Sequence, residues 1–338
     1  MALNGLPVHD GGAVLPIHGG NLQEAEARWG RPAAGWLDLS TGINPWPYPL
    51  PALAAEAWTR LPGAAEDAAL RAAAAAAFAA PDAGHVLAGP GTSALIQALP
   101  RVVPPGRVDV VVPTYGEHAR AWAAAGHAVR AVARLEDADA PVVVVVNPNN
   151  PDGRIVAPET LCRLAGERAA GGGLLLVDEA FGEAAPALSV ASAVAPGLAV
   201  LRSFGKFYGL AGLRLGFLLA APDILGPVAA QLGPWPVSGM ALAVGTAALA
   251  DHGWARASSA RLADAAAALD GVLTAAGLRL VGGTTLFRLA EHDAAAALYD
   301  RLGRAGILVR AFDFDPRRLR FGLPPDGAGL ARLAAALA

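Results

Sequence analysis

The 338-residue sequence has almost no lysine and almost no cysteine. Lys206 is the only lysine, so 25 of the 26 basic residues are arginine. Cys162 is the only cysteine, which excludes an internal disulfide and a cysteine-rich metal site. Arginine can replace lysine wherever a positive charge is enough, but a guanidinium does not lose its proton to become a nucleophile. The single lysine therefore points to amine chemistry, with chance in a biased composition as the alternative.

Long basic runs, long aliphatic runs and a leader pattern are also missing. The formal net charge is −3, and the densest basic group is Arg317, Arg318 and Arg320, which gives little support to nucleic-acid binding. The longest purely aliphatic run, Val142–Val146, is far too short to cross a bilayer. No basic segment leads into an apolar one near the N-terminus, as it would in a signal peptide. We therefore expect a soluble, cytoplasmic protein without nucleic-acid or membrane partners.

Short aliphatic runs alternate with helical patterns between about residues 61 and 234. These runs are predicted strands at Val86–Ala88, Val108–Val112, Val142–Val146, Leu174–Val177, Leu198–Arg202 and Leu215–Ala220. Because polar and apolar residues do not alternate in them, they are typical of strands buried on both faces of a mainly parallel sheet. The fold class is therefore predicted to be α/β. Ligands of such sheets bind beyond the carboxyl ends of the strands.

The length and the changes of pattern predict an arm and two domains. Residues 1–50 are rich in turn formers, and the three prolines that follow each other closely near residue 50 keep the chain extended. We predict an N-terminal arm at residues 1–50 and a large domain at 51–235. A smaller C-terminal α/β domain is predicted at 236–338, where longer helices precede short strands.

Polar residues follow several of the predicted strand ends. Thr92 and Ser93 open a helix after a glycine, where N–H groups attract a phosphate, although an ordinary helix cap is the alternative. Tyr115 could stack on a flat ring or simply pack at the rim of the sheet. Asp178 ends an apolar strand, where a lone carboxylate is costly, so either a pyridinium N–H or an arginine would be its partner.

The stretch from Arg202 to Phe217 surrounds Lys206 with further polar groups. Ser203 lies three residues before the lysine, and Arg214 lies eight residues after it. A hydroxyl, an amine and a guanidinium near one strand end suit a cofactor that carries an aldehyde and a phosphate. We therefore predict pyridoxal 5'-phosphate (PLP) as the cofactor, with Lys206 as the catalytic amine.

Three motifs carry a resemblance to a known family. N-P-N-N-P-x-G, D-E-A-F and S-x-G-K-x-x-G-L-A-G-L-R-x-G, in this order and spacing, resemble the fold-type I PLP enzymes of the histidinol-phosphate aminotransferase branch. H-G-G-N, W-L-D-L-S-T-G-I-N-P and Y-P-L-P extend the resemblance to the threonine-phosphate decarboxylases of cobalamin biosynthesis. The resemblance covers nearly the whole chain. It implies a homodimer that decarboxylates L-threonine O-3-phosphate to (R)-1-aminopropan-2-yl phosphate.

The resemblance also implies a role for each candidate residue. Lys206 would form the Schiff base with PLP, and Asp178 would pair with the pyridine nitrogen. The other implied cofactor contacts are to the ring hydroxyl, the ring face and the phosphate, from Asn150, Tyr115, Thr92, Ser93, Ser203 and Arg214. Arg320 would bind the substrate α-carboxylate in a bidentate fork, with a surface cation as the alternative. The implied contacts to the substrate phosphate are His18, Asn21 and Arg154, although a capping or packing role is the alternative for His18.

Two positions depart from the family pattern. Phe181 stands where relatives often have a tyrosine that donates to the ring hydroxyl. Leu61 stands where a tyrosine commonly reaches the cofactor phosphate of the neighbouring subunit. Because the motifs specify the cofactor more closely than the reaction, an aminotransferase of the histidinol-phosphate type is the main alternative function. A non-catalytic PLP-binding protein is a further alternative, and the presence of both Lys206 and Asp178 weakens it.

Overall fold

The computed structural model of the protein describes residues 18–338. The α-helices are α1 Leu22–Trp29, α2 Glu56–Thr59, α3 Ala64–Phe78, α4 Thr92–Ala98, α5 Glu117–Ala124, α6 Pro158–Ala170, α7 Phe204–Phe207, α8 Pro222–Leu232, α9 Gly239–Ala250, α10 His252–Ala275, α11 Ala295–Arg304 and α12 Gly327–Leu337. The strands are β1 Leu37–Asp38, β2 Val86–Gly89, β3 Arg107–Val111, β4 Ala128–Val132, β5 Val142–Val146, β6 Leu174–Asp178, β7 Leu198–Ser203, β8 Gly216–Leu219, β9 Arg279–Thr284, β10 Phe287–Glu291, β11 Ile307–Leu308, β12 Arg310–Ala311 and β13 Arg318–Gly322.

A seven-stranded sheet forms the centre of the larger of two compact units, which comprises residues 47–150 and 154–256. The strand order is β2-β8-β7-β6-β5-β3-β4. All strands point the same way except β8, which is antiparallel to both of its neighbours. The predicted α/β fold with a mainly parallel sheet is therefore confirmed.

Apolar side chains on both faces explain why the central strands are buried. Every residue of β5 and β6 is buried, and the five consecutive valines of β5 are β-branched residues that fit a pleated surface. One core joins β3, β5, β6 and β7 to helices α4, α5 and α8, and it includes Leu95, Trp122 and Val228. With helices covering the strands, the polar residues beyond the strand ends are left at one edge of the sheet.

Strand β4 was not predicted from the sequence. It is an edge strand that pairs only with β3, and three of its five residues are exposed. The guanidinium of Arg130 donates to both carboxylate oxygens of the buried Asp109 at 2.7 Å. An exposed edge strand held by an ion pair has no long apolar run, so the pattern that identified the other strands is missing.

The smaller unit comprises residues 18–46, 151–153 and 257–338. It contains an antiparallel sheet in the order β12-β13-β10-β9 and a parallel pair formed by β1 and β11. Trp29 in α1 also donates from its indole nitrogen to Asp300 at 2.8 Å. The N-terminal segment 18–46 therefore belongs to the same compact unit as residues 257–338. The predicted domains at 1–50, 51–235 and 236–338 stay a prediction. Within residues 18–338, no helix has the length and apolar character that a bilayer span requires.

Candidate active site

The register of the seven-stranded sheet brings the predicted cofactor residues to one edge. Asp178 at the end of β6 pairs with Val146 on one side and with Leu201 on the other. Gly216 at the start of β8 lies opposite both Ser203 and Gly89. Because β8 is reversed, its first residue meets the last residues of its neighbours. The residues that follow or precede these ends are Thr92, Ser93, Tyr115, Asn150, Lys206 and Arg214.

Asp178 is buried and accepts two hydrogen bonds. It is only 3% exposed, and its Oδ1 accepts from the backbone N–H of Ala180 at 2.9 Å. Its Oδ2 lies 2.7 Å from Nε2 of His118, which is completely buried in α5. Since a carboxylate only accepts, Nε2 of His118 is the donor. Among residues 18–338 no arginine pairs with Asp178, and its remaining lone pairs can accept a further N–H such as that of a pyridinium ring.

The phenol of Tyr115 interacts with Asp178 and with two of the predicted phosphate-binding residues, Ser93 and Arg214. Burial raises the pKa of the Tyr115 phenol, and the negative charges of Glu117 and Asp178 raise it further. A side-chain hydrogen bond with Ser93 and the positive charge of Arg214 act in the opposite direction. One half-buried ring therefore adjoins groups from three strand ends, as a residue that covers a flat ligand would.

The turn before α4 and the residues before β8 lie close together, at the predicted phosphate site. Gly91 is the N-cap of α4 and has a φ of 84°, in the region that favours glycine. A Cβ there would lie 2.7 Å from a guanidinium nitrogen of Arg214, and a Cβ on Gly216 would lie 2.5 Å from the backbone nitrogen of Thr92. Because the first amides of a helix have no partner within the helix, Arg214 and these amides suit a phosphate.

Arg214 adopts a left-handed backbone conformation, with φ 54° and ψ 56°. For a residue with a Cβ this conformation costs roughly 1–2 kcal/mol. Such strain is typical of functional positions, where the surrounding structure holds a side chain in place. The bend directs the chain from the turn Ala211–Leu213 into β8.

Three asparagines follow strand β5. The side chains of Asn147 and Asn149 form hydrogen bonds that connect the loops, and Asn150 is half-buried. The side-chain amide of Asn147 donates to the carbonyl of Val156 at 3.2 Å and accepts from the backbone N–H of Val156 at 2.9 Å. Asn149 donates to the carbonyl of Pro113 at 2.9 Å and accepts from the hydroxyl of Thr114 at 2.7 Å. These bonds join the loop after β5 to the loop after β3, so Asn150 and Tyr115 are carried by connected loops.

Lys206 is half-buried in α7, a single turn that begins directly after β7. On the strand before it, the buried Arg202 donates to Oε2 of Glu179 at 2.7 Å, and its Nε lies 3.5 Å from Glu183. Glu179 and Arg202 directly adjoin Asp178 and Ser203 in the chain. Burial raises the pKa of the Glu183 carboxyl, and the charge of Arg202 opposes this effect.

The chain matches the aminotransferase class I and II family over residues 39–337. The chain belongs to this family. It is 50% identical over 332 residues to a threonine-phosphate decarboxylase from Sinorhizobium sp, with 95% of this chain and 97% of that protein covered. It is 48% identical to a threonine-phosphate decarboxylase from Pseudomonas aeruginosa, with 95% and 96% covered. A crystal structure of histidinol-phosphate aminotransferase from Sinorhizobium meliloti in complex with PLP has a TM-score of 0.77 at 24% identity and covers 93% of this chain and 92% of that chain.

Arg320 of this family member lies in the smaller unit beside a second arginine. It pairs with Arg310 across strands β12 and β13, and its guanidinium donates to the carbonyl of Ser40 at 2.8 Å. Burial lowers the pKa of Arg320 to about 9, and repulsion by Arg310 acts in the same direction. Arg320 is only 7% exposed, so it is not the surface cation that was the alternative. The two like charges, one buried and one half-buried, lie in register, and a bound anion would offset their repulsion.

The predicted substrate-phosphate residues differ in their surroundings. Asn21 is the N-cap of α1, where its side chain accepts from the backbone N–H of Glu24 at 3.2 Å. His18 is exposed at the edge of the described chain. Arg154 lies in the larger unit, where its carbonyl accepts from the N–H of Asn149 at 2.9 Å. The helix cap accounts for Asn21 structurally, and ligand contact by these three residues remains a prediction.

Four residues near the candidate sites were not predicted from the sequence as functional residues: His118, Glu179, Arg202 and Arg310. His118 is 60 residues from Asp178, and no pattern links the two along the chain. The sequence did contain an indication for Glu179. This residue follows Asp178 at the end of an apolar strand, where a buried charge without a partner is costly. Arg310 also had such an indication, since it directly follows the apolar run Ile307–Val309. Phe181 is buried at 4% exposure, whereas Leu61 is 67% exposed.

Proposed function

We propose that this protein is a PLP-dependent threonine-phosphate decarboxylase. It would convert L-threonine O-3-phosphate into CO₂ and (R)-1-aminopropan-2-yl phosphate, with a proton replacing the carboxylate at Cα. The observation that carries this proposal is the identity of 48–50% over 95% of the chain to two proteins of that name. The product would serve the biosynthesis of cobalamin. A cytoplasmic location remains a prediction from the sequence alone.

The residues at the sheet edge fit PLP. When bound through Lys206, PLP supplies an electron sink for the bond that breaks at Cα. Asp178 would hold the ring nitrogen protonated, and its hydrogen bond with His118 would fix the orientation of the carboxylate. Tyr115 would cover one face of the ring, and Asn150 would bind the ring hydroxyl. The phosphate would be bound by Thr92, Ser93, Ser203 and Arg214.

The paired arginines of the smaller unit suit a substrate with two anionic groups. We propose that Arg320 binds the α-carboxylate and that Arg310 binds the phosphate monoester, together with His18, Asn21 and Arg154. The grip on these groups selects the reaction, because decarboxylation needs the Cα–carboxylate bond perpendicular to the ring and transamination needs the Cα–H bond there. Lys206 would then return a proton to Cα from its amine.

We propose a homodimer as the assembly. Five large apolar side chains of the larger unit are more than half exposed, namely Leu50, Trp58, Leu61, Ile155 and Trp235. Helix α2 with Trp58 packs against α9, since a Cβ on Gly239 would lie 2.6 Å from the carbonyl of Ala57. Trp235 lies four residues before Gly239. Exposed apolar patches of this kind are typical of protein interfaces, and a second copy is the partner that we propose.

The decisive experiment incubates the purified protein and PLP with L-threonine O-3-phosphate, without any 2-oxo acid. We expect CO₂ and 1-aminopropan-2-yl phosphate, measured by mass spectrometry. Lys206→Ala should abolish turnover, and Lys206→Arg should do the same because a guanidinium keeps its charge but supplies no nucleophile. Retained turnover in either variant would contradict the role of Lys206.

The same experiment separates the alternatives. Product that forms only when 2-oxoglutarate and an amino donor such as histidinol phosphate are present would identify an aminotransferase. A PLP absorbance that depends on Lys206, without turnover of either substrate, would identify a non-catalytic PLP-binding protein. Either result would overturn the decarboxylase proposal.

A further inference from the structure

The helix that carries Lys206 is too short to orient the lysine by itself. Helix α7, Phe204–Phe207, has four residues, and its C-cap is Tyr208. A single turn is unstable on its own, because forming the first hydrogen bond requires several residues to be ordered. The direction of the Lys206 side chain therefore depends on what α7 packs against.

Three aromatic rings stack on one side of α7. The ring of Tyr208 lies between Phe204 and Trp254, with centroid distances of 4.4 and 5.5 Å and interplanar angles of 10° and 13°. Two further rings enclose this stack edge-on: Phe207 lies 5.7 Å from Trp254, and Tyr48 lies 5.2 Å from it. We call Phe204, Tyr208 and Trp254 the aromatic stack.

The aromatic stack lies behind the lysine. Phe204 and Tyr208 are four residues apart, so they share one face of the helical turn, and Lys206 between them is on the opposite face. Phe204 and Tyr208 are 0% and 4% exposed, whereas Lys206 is half-buried. The backbone N–H of Tyr48 also donates to the carbonyl of Tyr208 at 2.9 Å. The buried face of α7 is thus fixed from two distant parts of the chain.

The stack is also uncharged. Burial is the main cause that raises the pKa of the Tyr208 phenol, and the charge of Glu183 raises it further. The hydroxyl therefore stays protonated across the range in which enzymes work. Trp254 is the third residue of α10, and its backbone N–H donates to Asp251 at 2.9 Å. Its ring is consequently carried by a capped helix of 24 residues, which is a much firmer support than α7.

We propose that the aromatic stack is the positioning device for Lys206, and that Tyr208 and Trp254 are positioning residues for the reaction. The proposal rests on the function proposed above, in which Lys206 binds the cofactor. Loss of a stacking ring would allow α7 to tilt and would displace the lysine nitrogen. A misplacement of about 1 Å can cost about a hundredfold in rate.

The test compares Trp254→Leu and Tyr208→Leu with two controls in the PLP-loaded protein. Tyr208→Phe keeps the ring and removes only the hydroxyl. Trp122→Leu removes another buried tryptophan of the same unit, from helix α5, whose apolar core contains none of the three stack residues. Three quantities are measured: kcat and KM for threonine phosphate, the midpoint of the pH titration of the absorbance of lysine-bound PLP, and the melting temperature.

We expect Trp254→Leu and Tyr208→Leu to lower kcat about 10- to 100-fold, with KM changed by less than about threefold. The titration midpoint should shift in both variants, because the lysine nitrogen lies in a changed environment. Tyr208→Phe should match the wild type in all three quantities. Trp122→Leu should lower the melting temperature while its kcat and titration midpoint stay unchanged.

Two results would overturn the proposal: unchanged kcat and midpoint in the two stack variants, or the same changes in Trp122→Leu. If neither leucine variant can be purified, Trp254→Met, which keeps apolar volume without a ring, is decided by the same criteria. The wild-type protein shows whether the proposed function or only the positioning role has failed. If it shows no PLP absorbance that depends on Lys206, the proposed function fails; if it is normal and the variants match it, only the positioning role fails.

Discussion

At the scale of single residues, charge and burial distinguish the arginines of the smaller unit. Arg320 and Arg310 face each other across two strands, whereas Arg317 is 54% exposed and lies 3.3 Å from Glu291. A desolvated cation beside a like charge gains more from a bound anion than a cation that is largely exposed to water. The difference in burial is why we propose Arg320 and Arg310, and not Arg317, as substrate contacts.

We therefore expect Arg320→Met to raise KM for threonine phosphate about 10- to 100-fold, because a charge-assisted hydrogen bond contributes about 1.5–3 kcal/mol. Arg310→Met should have a similar effect. The measurement is steady-state kinetics of CO₂ release. Arg317→Met, in the same strand region, is the matched control and should leave KM unchanged. Equal effects in Arg317→Met and Arg320→Met, or no effect in either, would count against specific substrate contacts.

At the scale of elements, strands β6 and β7 are joined by a buried ion pair as well as by backbone hydrogen bonds. The N–H of Glu179 donates to the carbonyl of Leu201 at 2.9 Å, which continues the ladder beyond Asp178. Both Glu179 and Arg202 are almost completely buried, and the Arg202 guanidinium also lies 4.5 Å from the ring centroid of Phe78. The two strand ends that carry Asp178 and Ser203 are thereby held side by side.

We expect Arg202→Met to lower the free energy of unfolding by about 3–5 kcal/mol at pH 8, because it leaves buried carboxylates without a compensating charge. The loss should shrink toward pH 5. A carboxyl whose pKa is raised in the folded state, as that of Glu183 is, favours folding once it is protonated and destabilises the fold as pH rises through that pKa. Urea denaturation at both pH values measures the effect.

Two further variants provide the controls for Arg202→Met. Replacing the whole cluster, with Arg202→Met, Glu179→Leu and Glu183→Leu together, should recover much of the lost stability, because no charge is left buried. Arg163→Met removes a surface partner of Glu167 and should have no measurable effect, since both side chains are largely exposed. A stability loss in Arg202→Met that does not depend on pH would contradict the electrostatic explanation.

At the scale of the whole molecule, the apolar side chains exposed on the larger unit predict association. Trp58 and Leu61 are 65% and 67% exposed, and they belong to α2 and the segment that follows it. Leaving two large apolar side chains in water is unfavourable by roughly 1.5–3 kcal/mol for each one that a partner would fully bury. A second copy would remove this cost.

We expect sedimentation to give a mass about twice the 34.0 kDa of one chain. Introducing a charge with Trp58→Asp should shift the equilibrium toward the monomer, because an interface core does not tolerate an unpaired carboxylate. Phe314→Asp, at a side chain of the smaller unit that is 51% exposed, is the control and should not change the mass. A wild-type monomer, or equal dissociation in both variants, would refute the proposed interface.

The sequence alone determined the central strands and the α/β class, and it indicated candidate side chains for the chemistry, whose roles stay a prediction. Val142–Val146 and Leu174–Val177 were identified because burial on both faces requires continuous apolar runs, a property that each segment shows locally. Lys206 was predicted because a guanidinium cannot replace a nucleophilic amine, and Asp178 because a lone carboxylate at the end of an apolar strand is costly without a partner. The family motifs then supported the cofactor that the residues around Lys206 had indicated, and they specified the reaction less closely.

Only the tertiary structure decided which side chains meet. His118 contacts Asp178 across 60 residues, and Leu37 pairs with Ile307 across most of the chain. Likewise, the ring of Trp254 stacks on Tyr208 from a different helix. The physical reason is that periodicity reports how deeply a segment is buried, whereas partners are chosen by the order and direction of strands and by packing between distant segments.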